Sequence, residues 1–203
     1  MDSPIMELNN PLLNCIVTGT RVLTQKGYKP IEHVKSMNYK LLTHSGEFRT
    51  ILNGGYRLYS GLLYEISIMY HTNVIKCTPE QLFYVRQINK ILNETTNKYE
   101  MVYSEPEWKP AYQLNNADYF GMLIQNSSLI SKDIEDQYDY FAMEYNWKYE
   151  PKTYFITTEP NGVVYSWHIF KSIQMTETCD ISVYHIEVET DNSYVVENTV
   201  VHC

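Results

Sequence analysis

The side chains with the greatest capacity for chemistry in this sequence are its cysteines and histidines. A cysteine acts as a nucleophile through its thiolate, and a histidine can move protons near neutral pH. The four cysteines lie far apart, at positions 15, 77, 179 and 203. A chain of 203 residues with 44% hydrophobic residues can build a core without disulfide bonds. We therefore expect free thiols and a reducing, cytoplasmic compartment.

Three segments of the chain, residues 15–34, 74–85 and 183–203, carry these side chains at informative spacings. The first begins with Cys15, which directly follows Asn14. The three segments bracket nearly the whole chain. The candidate site residues that they and the preceding position supply are Asn14, Cys15, Thr78, Gln81, His185, His202 and Cys203.

In this order the segments resemble the opening, second and closing motifs of the hedgehog/intein (Hint) superfamily. The resemblance is to a mini-intein, since no homing-endonuclease helices are visible. It implies a mainly β fold, a horseshoe of long curved antiparallel strands. It also implies autocatalytic protein splicing without a cofactor, in which Cys15 Sγ attacks the Asn14 carbonyl and converts the amide into a thioester. Residues 1–14 are then an N-terminal flank, and residues 15–203 are the Hint domain.

The sequence departs from the family pattern at several functional positions. Gln81 stands where the second motif has a histidine, and His185 stands where the closing motif has a catalytic aspartate. Asn192 corresponds to a supporting histidine of the family. The family ends in His-Asn, whereas this sequence ends in His202 and Cys203. The resemblance therefore predicts the fold more firmly than the activity.

The changes at positions 81 and 185 affect the first step of the implied reaction. Cleavage of a peptide bond by a thiol needs a nucleophilic sulfur, a polarised carbonyl and an acid that protonates the departing amine. Thr78 matches the family motif, but Gln81 can only hydrogen-bond the carbonyl or amide and cannot shuttle a proton. We hypothesise that His185 supplies the missing acid or base. The alternative is that His185 is a polar residue in a decayed site.

The change at the end of the sequence affects the last step. In the family, the histidine at the position of His202 helps an adjacent asparagine to cyclise, and Cys203 has no side-chain amide for this reaction. Either Cys203 replaces the asparagine, or the asparagine is absent and Cys203 is the acceptor nucleophile that receives the acyl group from Cys15. Both alternatives predict incomplete or blocked splicing.

Two other functions stay open at this point. The chain could be a degenerate Hint domain that serves as a structural or binding module without chemistry. It could also bind a metal ion, because two thiolates and two imidazoles are a tetrahedral zinc set. The four ligands of that set are Cys15, His185, His202 and Cys203.

Charge and hydropathy exclude several classes of partner. The net charge of -8 argues against binding to nucleic acid, which needs a basic face. No window approaches the ~18 apolar residues of a membrane-spanning helix. We expect a monomer that acts on its own flanking chain. The 19 tyrosines and many asparagines are typical of an AT-rich genome, such as a viral one.

Short runs of β-branched and aromatic residues between turn signals predict a chain of strands. Turns are predicted at residues 53–55, 160–162 and 191–192, where glycine, asparagine or aspartate occur. Between about residues 87 and 150 the composition becomes polar and acidic, which predicts a mixed or irregular insertion. The predicted strands are 20–24, 40–43, 48–52, 62–69, 74–77, 82–85, 154–158, 163–170, 181–188 and 193–201.

Overall fold

The computed structural model describes residues 6–7, 14–34, 38–95, 97–124 and 154–203, and most of them lie in strands. A single short helix, α1 (Ile31–Val34), and a 3-10 turn (Ala111–Gln113) are the helical elements of these ranges. The strands are β1 (Met6–Glu7), β2 (Ile16–Val17), β3 (Arg21–Thr24), β4 (Gly27–Pro30), β5 (Lys40–Leu42), β6 (Phe48–Ile68), β7 (Val74–Cys77), β8 (Leu82–Asn93), β9 (Lys98–Tyr103), β10 (Glu107–Pro110), β11 (Asp118–Ile124), β12 (Tyr154–Thr158), β13 (Val164–Val188), β14 (Ser193–Val196) and β15 (Thr199–His202).

Two very long strands, β6 and β13, form the backbone of the sheet. They pair antiparallel from Phe170 opposite Ile68 to Val188 opposite Ile51, with three shifts of register along the way. Each shift bends the pair and increases its twist. The strands therefore curve through the whole molecule, which confirms the predicted mainly β fold of long antiparallel strands.

The glycine-rich turn predicted at residues 53–55 is wrong, because these residues lie inside β6. Gly54 and Gly55 are buried and pair with Ile186 and His185 of β13. On its other side Gly55 pairs in parallel with Met6 of β1. Glycine here marks a close approach of several strands instead of a turn. The pairing also shows that part of the predicted N-terminal flank joins the sheet.

The range predicted as an insertion, about 87–150, is described as far as Ile124, and up to that residue it consists largely of strands. β8 and β9 form an antiparallel hairpin, and β11 pairs with β8, β13 and β15. The hairpin leaves apolar side chains such as Ile91 and Val102 exposed. Its mixed polar sequence hides the alternation that marks a half-buried strand. Residues 125–153 lie outside the described ranges, and the domain boundaries stay a prediction.

A short central strand brings the ends of the sequence together. Ile16 of β2 pairs with Cys77 of β7 on one side and with Tyr184 of β13 on the other. The closing hairpin, β14 and β15, packs beside this strand through Tyr194 and Val201, which belong to the same buried core. Three distant parts of the sequence thus meet around residue 15. Within the described ranges, no helix has the length and apolar character needed to cross a membrane.

Candidate active site

The pairing of β2 determines which side chains surround Cys15. Ile16 lies between Cys77 and Tyr184, so the neighbours of these residues in the sequence meet at one end of β2. They are Cys15, Thr78 and His185. The structure thus brings together three of the predicted site residues.

The peptide bond between Asn14 and Cys15 is held at both of its polar atoms. The Cys15 N–H donates to Thr78 Oγ1 at 3.2 Å, and the Thr78 N–H donates to the Cys15 carbonyl at 3.0 Å. His185 Nδ1 lies 3.0 Å from the Asn14 carbonyl oxygen. Because a carbonyl oxygen only accepts, Nδ1 carries the proton of this hydrogen bond. The arrangement polarises the carbonyl and fixes the orientation of the amide.

The Cys15 thiol is buried among apolar side chains. Its immediate cluster contains Val17, Leu63 and Val183. Burial raises the pKa of the Cys15 thiol, and a hydrogen bond and the positive charge of Arg57 offset part of that increase. The net pKa is above that of a free cysteine. The thiol therefore rests largely protonated, with one cation beside it that favours the thiolate.

Arg57 is a site residue that the sequence did not reveal. It lies in the middle of β6, where it pairs with Val183 of β13. Its guanidinium also stacks over the ring of Tyr59 at 5.0 Å. No motif surrounds Arg57 in the sequence, and only the long-range pairing of β6 with β13 places it near Cys15. The one feature of the sequence that could have indicated a role for Arg57 is its charge within an otherwise strand-forming run.

Cys203, at the other end of the sequence, lies beside Asn14. The Cys203 carbonyl oxygen accepts two hydrogen bonds, one from Asn14 Nδ2 at 2.8 Å and one from His202 Nδ1 at 2.8 Å. The Cys203 N–H donates to the Asn192 carbonyl at 2.8 Å. Burial raises the pKa of the Cys203 thiol to about 12, although a backbone hydrogen bond from Val188 partly opposes the increase. Cys203 is therefore a weak nucleophile in this arrangement.

The amide nitrogen of Gln81 donates away from the bond between Asn14 and Cys15, although its amide could have hydrogen-bonded that carbonyl or N–H. Its Nε2 donates to the His202 carbonyl at 2.8 Å and to the Leu82 carbonyl at 3.1 Å. The side chain points this way because β8, which follows Gln81, pairs with β15. Gln81 holds the closing strand in place.

The ring of His202 packs against an aromatic side chain. The edge of its ring faces Trp108 at a centroid distance of 5.0 Å, and His44 lies 5.7 Å from the same indole. His44 Nδ1 is 2.8 Å from the hydroxyl of Ser193. Burial lowers the pKa of His44, against the opposing charge of Asp191. This environment fixes the His202 ring, whose Nδ1 contacts the Cys203 carbonyl.

The proposed zinc set does not form. Among the residues that the structure describes, no three His, Cys, Asp or Glu side chains converge as ligands of a metal ion. His185 and His202 each use Nδ1 for a hydrogen bond to a backbone carbonyl. Cys15, His185, His202 and Cys203 meet around a peptide bond and a carbonyl group, not around a common centre.

The two remaining cysteines differ in their exposure to solvent. Cys77 is fully buried, and burial raises the pKa of its thiol. Cys179 is exposed and lies near Ser60 and Asp180. Cys77 is part of the main hydrophobic core.

Solved structures with the same fold are inteins. A bacterial intein-like domain from Clostridium thermocellum has a TM-score of 0.54 and 18% identity, over 93% of this chain and 98% of that one. The DnaB intein from Synechocystis has a TM-score of 0.56 and 12% identity, over 94% of this chain and 98% of that one. The DnaX mini intein from Spirulina platensis has a TM-score of 0.53 and 14% identity, over 93% of this chain and 99% of that one.

Sequence comparison adds no relative, since no family model and no curated protein matches the chain. The structural likeness nevertheless extends over nearly the full length of this chain and of each neighbour. The fold is therefore the Hint fold. It is the fold of a mini-intein, as the opening and closing motifs implied.

Proposed function

We propose that the chain is an intein-like autoprocessing domain in which Cys15 attacks the carbonyl of Asn14. The observation that carries this proposal is the pair of hydrogen bonds on the bond between these residues. His185 Nδ1 contacts its oxygen at 3.0 Å, and Thr78 Oγ1 contacts its N–H at 3.2 Å. Both contacts sit next to a cysteine thiol.

In this reaction the acyl group moves from nitrogen to sulfur. A bond forms between Cys15 Sγ and the Asn14 carbonyl carbon, and the bond from that carbon to the Cys15 nitrogen breaks. The proton of the thiol ends on the nitrogen, which becomes a free amine. Nothing else is consumed, because the reaction exchanges an amide for a thioester within one molecule.

Each neighbour of the bond has a distinct role. The N–H of His185 stabilises the negative charge that develops on the carbonyl oxygen in the tetrahedral intermediate. Arg57 stabilises the thiolate that attacks. Thr78 orients the departing nitrogen. His185 contacts the oxygen and not the nitrogen, which favours polarisation of the carbonyl over proton donation to the amine as its role.

We further propose that splicing stops after this step. Position 203 has no side-chain amide that could cyclise. Its thiol has a pKa of about 12 because it is buried, which disfavours transfer of the acyl group from Cys15. The domain would then act on its own flanking chain as a monomer. It needs a reducing compartment, in keeping with its free cysteines.

The test is the intact mass of freshly made protein at neutral pH, with and without a strong thiol. We expect the thiol to release residues 1–14 from the wild type but not from Cys15→Ala. An unchanged wild-type mass would overturn the proposal. That result would favour the second candidate, a Hint-fold binding module without chemistry, for which the buried thiol of raised pKa is the supporting observation.

A further inference from the structure

Asn14 carries a second nitrogen that can reach the same carbonyl carbon. Its side-chain amide Nδ2 is separated from its own backbone carbonyl carbon by Cγ, Cβ and Cα. A bond between Nδ2 and that carbon closes a five-membered aminosuccinimide ring within this one residue. Such intramolecular reactions have very high effective concentrations of the attacking group.

The surroundings of Asn14 suit a second attack as well as the first. His185 Nδ1 lies 3.0 Å from the Asn14 carbonyl oxygen. After the acyl shift this oxygen belongs to a thioester, and a hydrogen bond kept from Nδ1 would polarise it. The sulfur that must leave is the one beside the Arg57 guanidinium. A cation at this place stabilises the departing thiolate. His185 can thus stabilise charge on the carbonyl oxygen, and Arg57 can stabilise charge on the departing sulfur.

We propose that Asn14 Nδ2 attacks the thioester and releases residues 1–14 with an aminosuccinimide at their end, an inference that rests on the proposed function. The bond between Nδ2 and the carbonyl carbon forms, and the bond between that carbon and Cys15 Sγ breaks. One proton of Nδ2 ends on the sulfur. Cys15 becomes the first residue of the remaining domain, with a free thiol and a free amine, and no co-reactant is used.

The end of the chain restrains this nitrogen. Asn14 Nδ2 donates to the Cys203 carbonyl at 2.8 Å, and ring closure requires that this hydrogen bond break. His202 Nδ1 contacts the same oxygen at 2.8 Å. The closing strand therefore holds the attacking nitrogen away from the carbonyl in the resting state. Breaking of this hydrogen bond therefore precedes ring closure.

The experiment follows the full-length protein at neutral pH without added thiol and measures the mass of the released segment at early times. We expect a product lighter by one water than residues 1–14 with a free carboxyl end. Opening of the ring by water later converts it to the acid mass. Asn14→Ala removes the ring-forming nitrogen, and Asn14→Gln keeps an amide but requires a larger ring.

In both variants we expect thiol-free release to fall at least about tenfold relative to the thiol-induced release of the same protein. If the wild type releases only the acid form from the earliest times, water resolves the thioester and the inference is overturned. Thiol-induced release without any thiol-free release also overturns it and leaves the proposed function standing.

Two further outcomes separate the inference from the function on which it rests. If no wild-type segment is released even with a strong thiol, no thioester forms and the proposed function fails. If Cys15→Ala releases the aminosuccinimide as fast as the wild type, Asn14 attacks the amide directly, and the thioester route is overturned.

Discussion

The Nδ1 nitrogen of His185 lies 3.0 Å from the carbonyl oxygen of Asn14, although 171 residues separate them in the sequence. The contact exists because β2, which follows Asn14, pairs with β13 directly beside His185. The oxygen that His185 contacts belongs to the bond that Cys15 would break. A histidine at this position can therefore act directly on the carbonyl group that reacts.

We expect His185→Ala to slow the thiol-induced release of residues 1–14 by about a hundredfold or more. Loss of one preorganised donor to a developing oxyanion typically has an effect of about this size. His185→Gln is the matched variant, since its amide can still donate a hydrogen bond without moving a proton. Its rate should lie between those of His185→Ala and the wild type. Equal rates in all three proteins would show that His185 has no role in the step.

Arg57 should control the pH at which Cys15 becomes reactive. Its hydrogen bond and charge lower a thiol pKa that burial raises. Replacement by a neutral side chain of similar length, Arg57→Met, should therefore move the pH–rate profile of segment release to higher pH. Arg57→Lys keeps the charge and should move the profile less. The profile is measured as the initial rate of thiol-induced release across neutral and alkaline pH, and identical profiles in wild type and Arg57→Met would contradict the assignment.

Restoring the family histidine at position 81 should not accelerate the first step. The side chain at this position points to the His202 carbonyl, where Gln81 Nε2 donates at 2.8 Å. We expect Gln81→His to leave the rate of thiol-induced release within about threefold of the wild type. It should lower the free energy of unfolding by about 1–3 kcal/mol, because a buried hydrogen bond is lost.

Thr78→Val provides the comparison for Gln81→His. It removes the acceptor of the Cys15 N–H and should slow release while position 81 stays unchanged. Urea unfolding and release rates of the two variants are measured side by side. A rate increase of about tenfold or more in Gln81→His would show that its side chain reaches the bond between Asn14 and Cys15.

The mainly β fold could be predicted because three short motifs of the sequence resemble those of a known family. Each motif lies at the start or end of a short strand, and the resemblance supplied the pairing between them. The partner of Gln81 could not be predicted, because the direction of its side chain depends on the contact of β8 with β15. A single-sequence pattern carries no information about such a pairing.

The surroundings of Arg57 and of residues 53–55 also depend on a long-range strand pairing that the sequence does not show. Arg57, Gly54 and Gly55 all pair with β13, whose residues are more than a hundred positions away in the sequence. This pairing determines their surroundings. The glycines match a turn by local chemistry. Their actual place is a buried crossing of strands, and only the register between β6 and β13 distinguishes the two.

Two neighbouring histidines outside the site, the buried His168 and the half-buried His71, should make the fold sensitive to acid. The rings of His71 and His168 are 5.5 Å apart, and His168 Nε2 lies 2.5 Å from the Ser166 hydroxyl. Burial lowers the pKa of His71 to about 4 and that of His168 to about 3. Both rings are therefore neutral in the folded protein at pH values where the unfolded chain already binds a proton.

The sign of the effect follows from this difference in proton binding. The unfolded state gains protons as the pH falls below 6.5, the ordinary value for histidine, whereas the folded state gains one on His71 only near pH 4. The contribution of the neutral His71 to the free energy of unfolding is complete above pH 6.5. It is lost as the pH falls toward 4. At about pH 5, His71 alone should lower the free energy of unfolding by about 2 kcal/mol.

The measurement compares urea unfolding at about pH 7 and about pH 5 for His71→Gln and its parent, both in a Cys15→Ala background that keeps the chain intact. We expect the loss of stability between the two pH values to be smaller in His71→Gln by about 2 kcal/mol. Comparing each protein with itself at two pH values removes any pH-independent cost of the substitution. Equal losses in the two proteins would mean that His71 already carries its proton in the folded state.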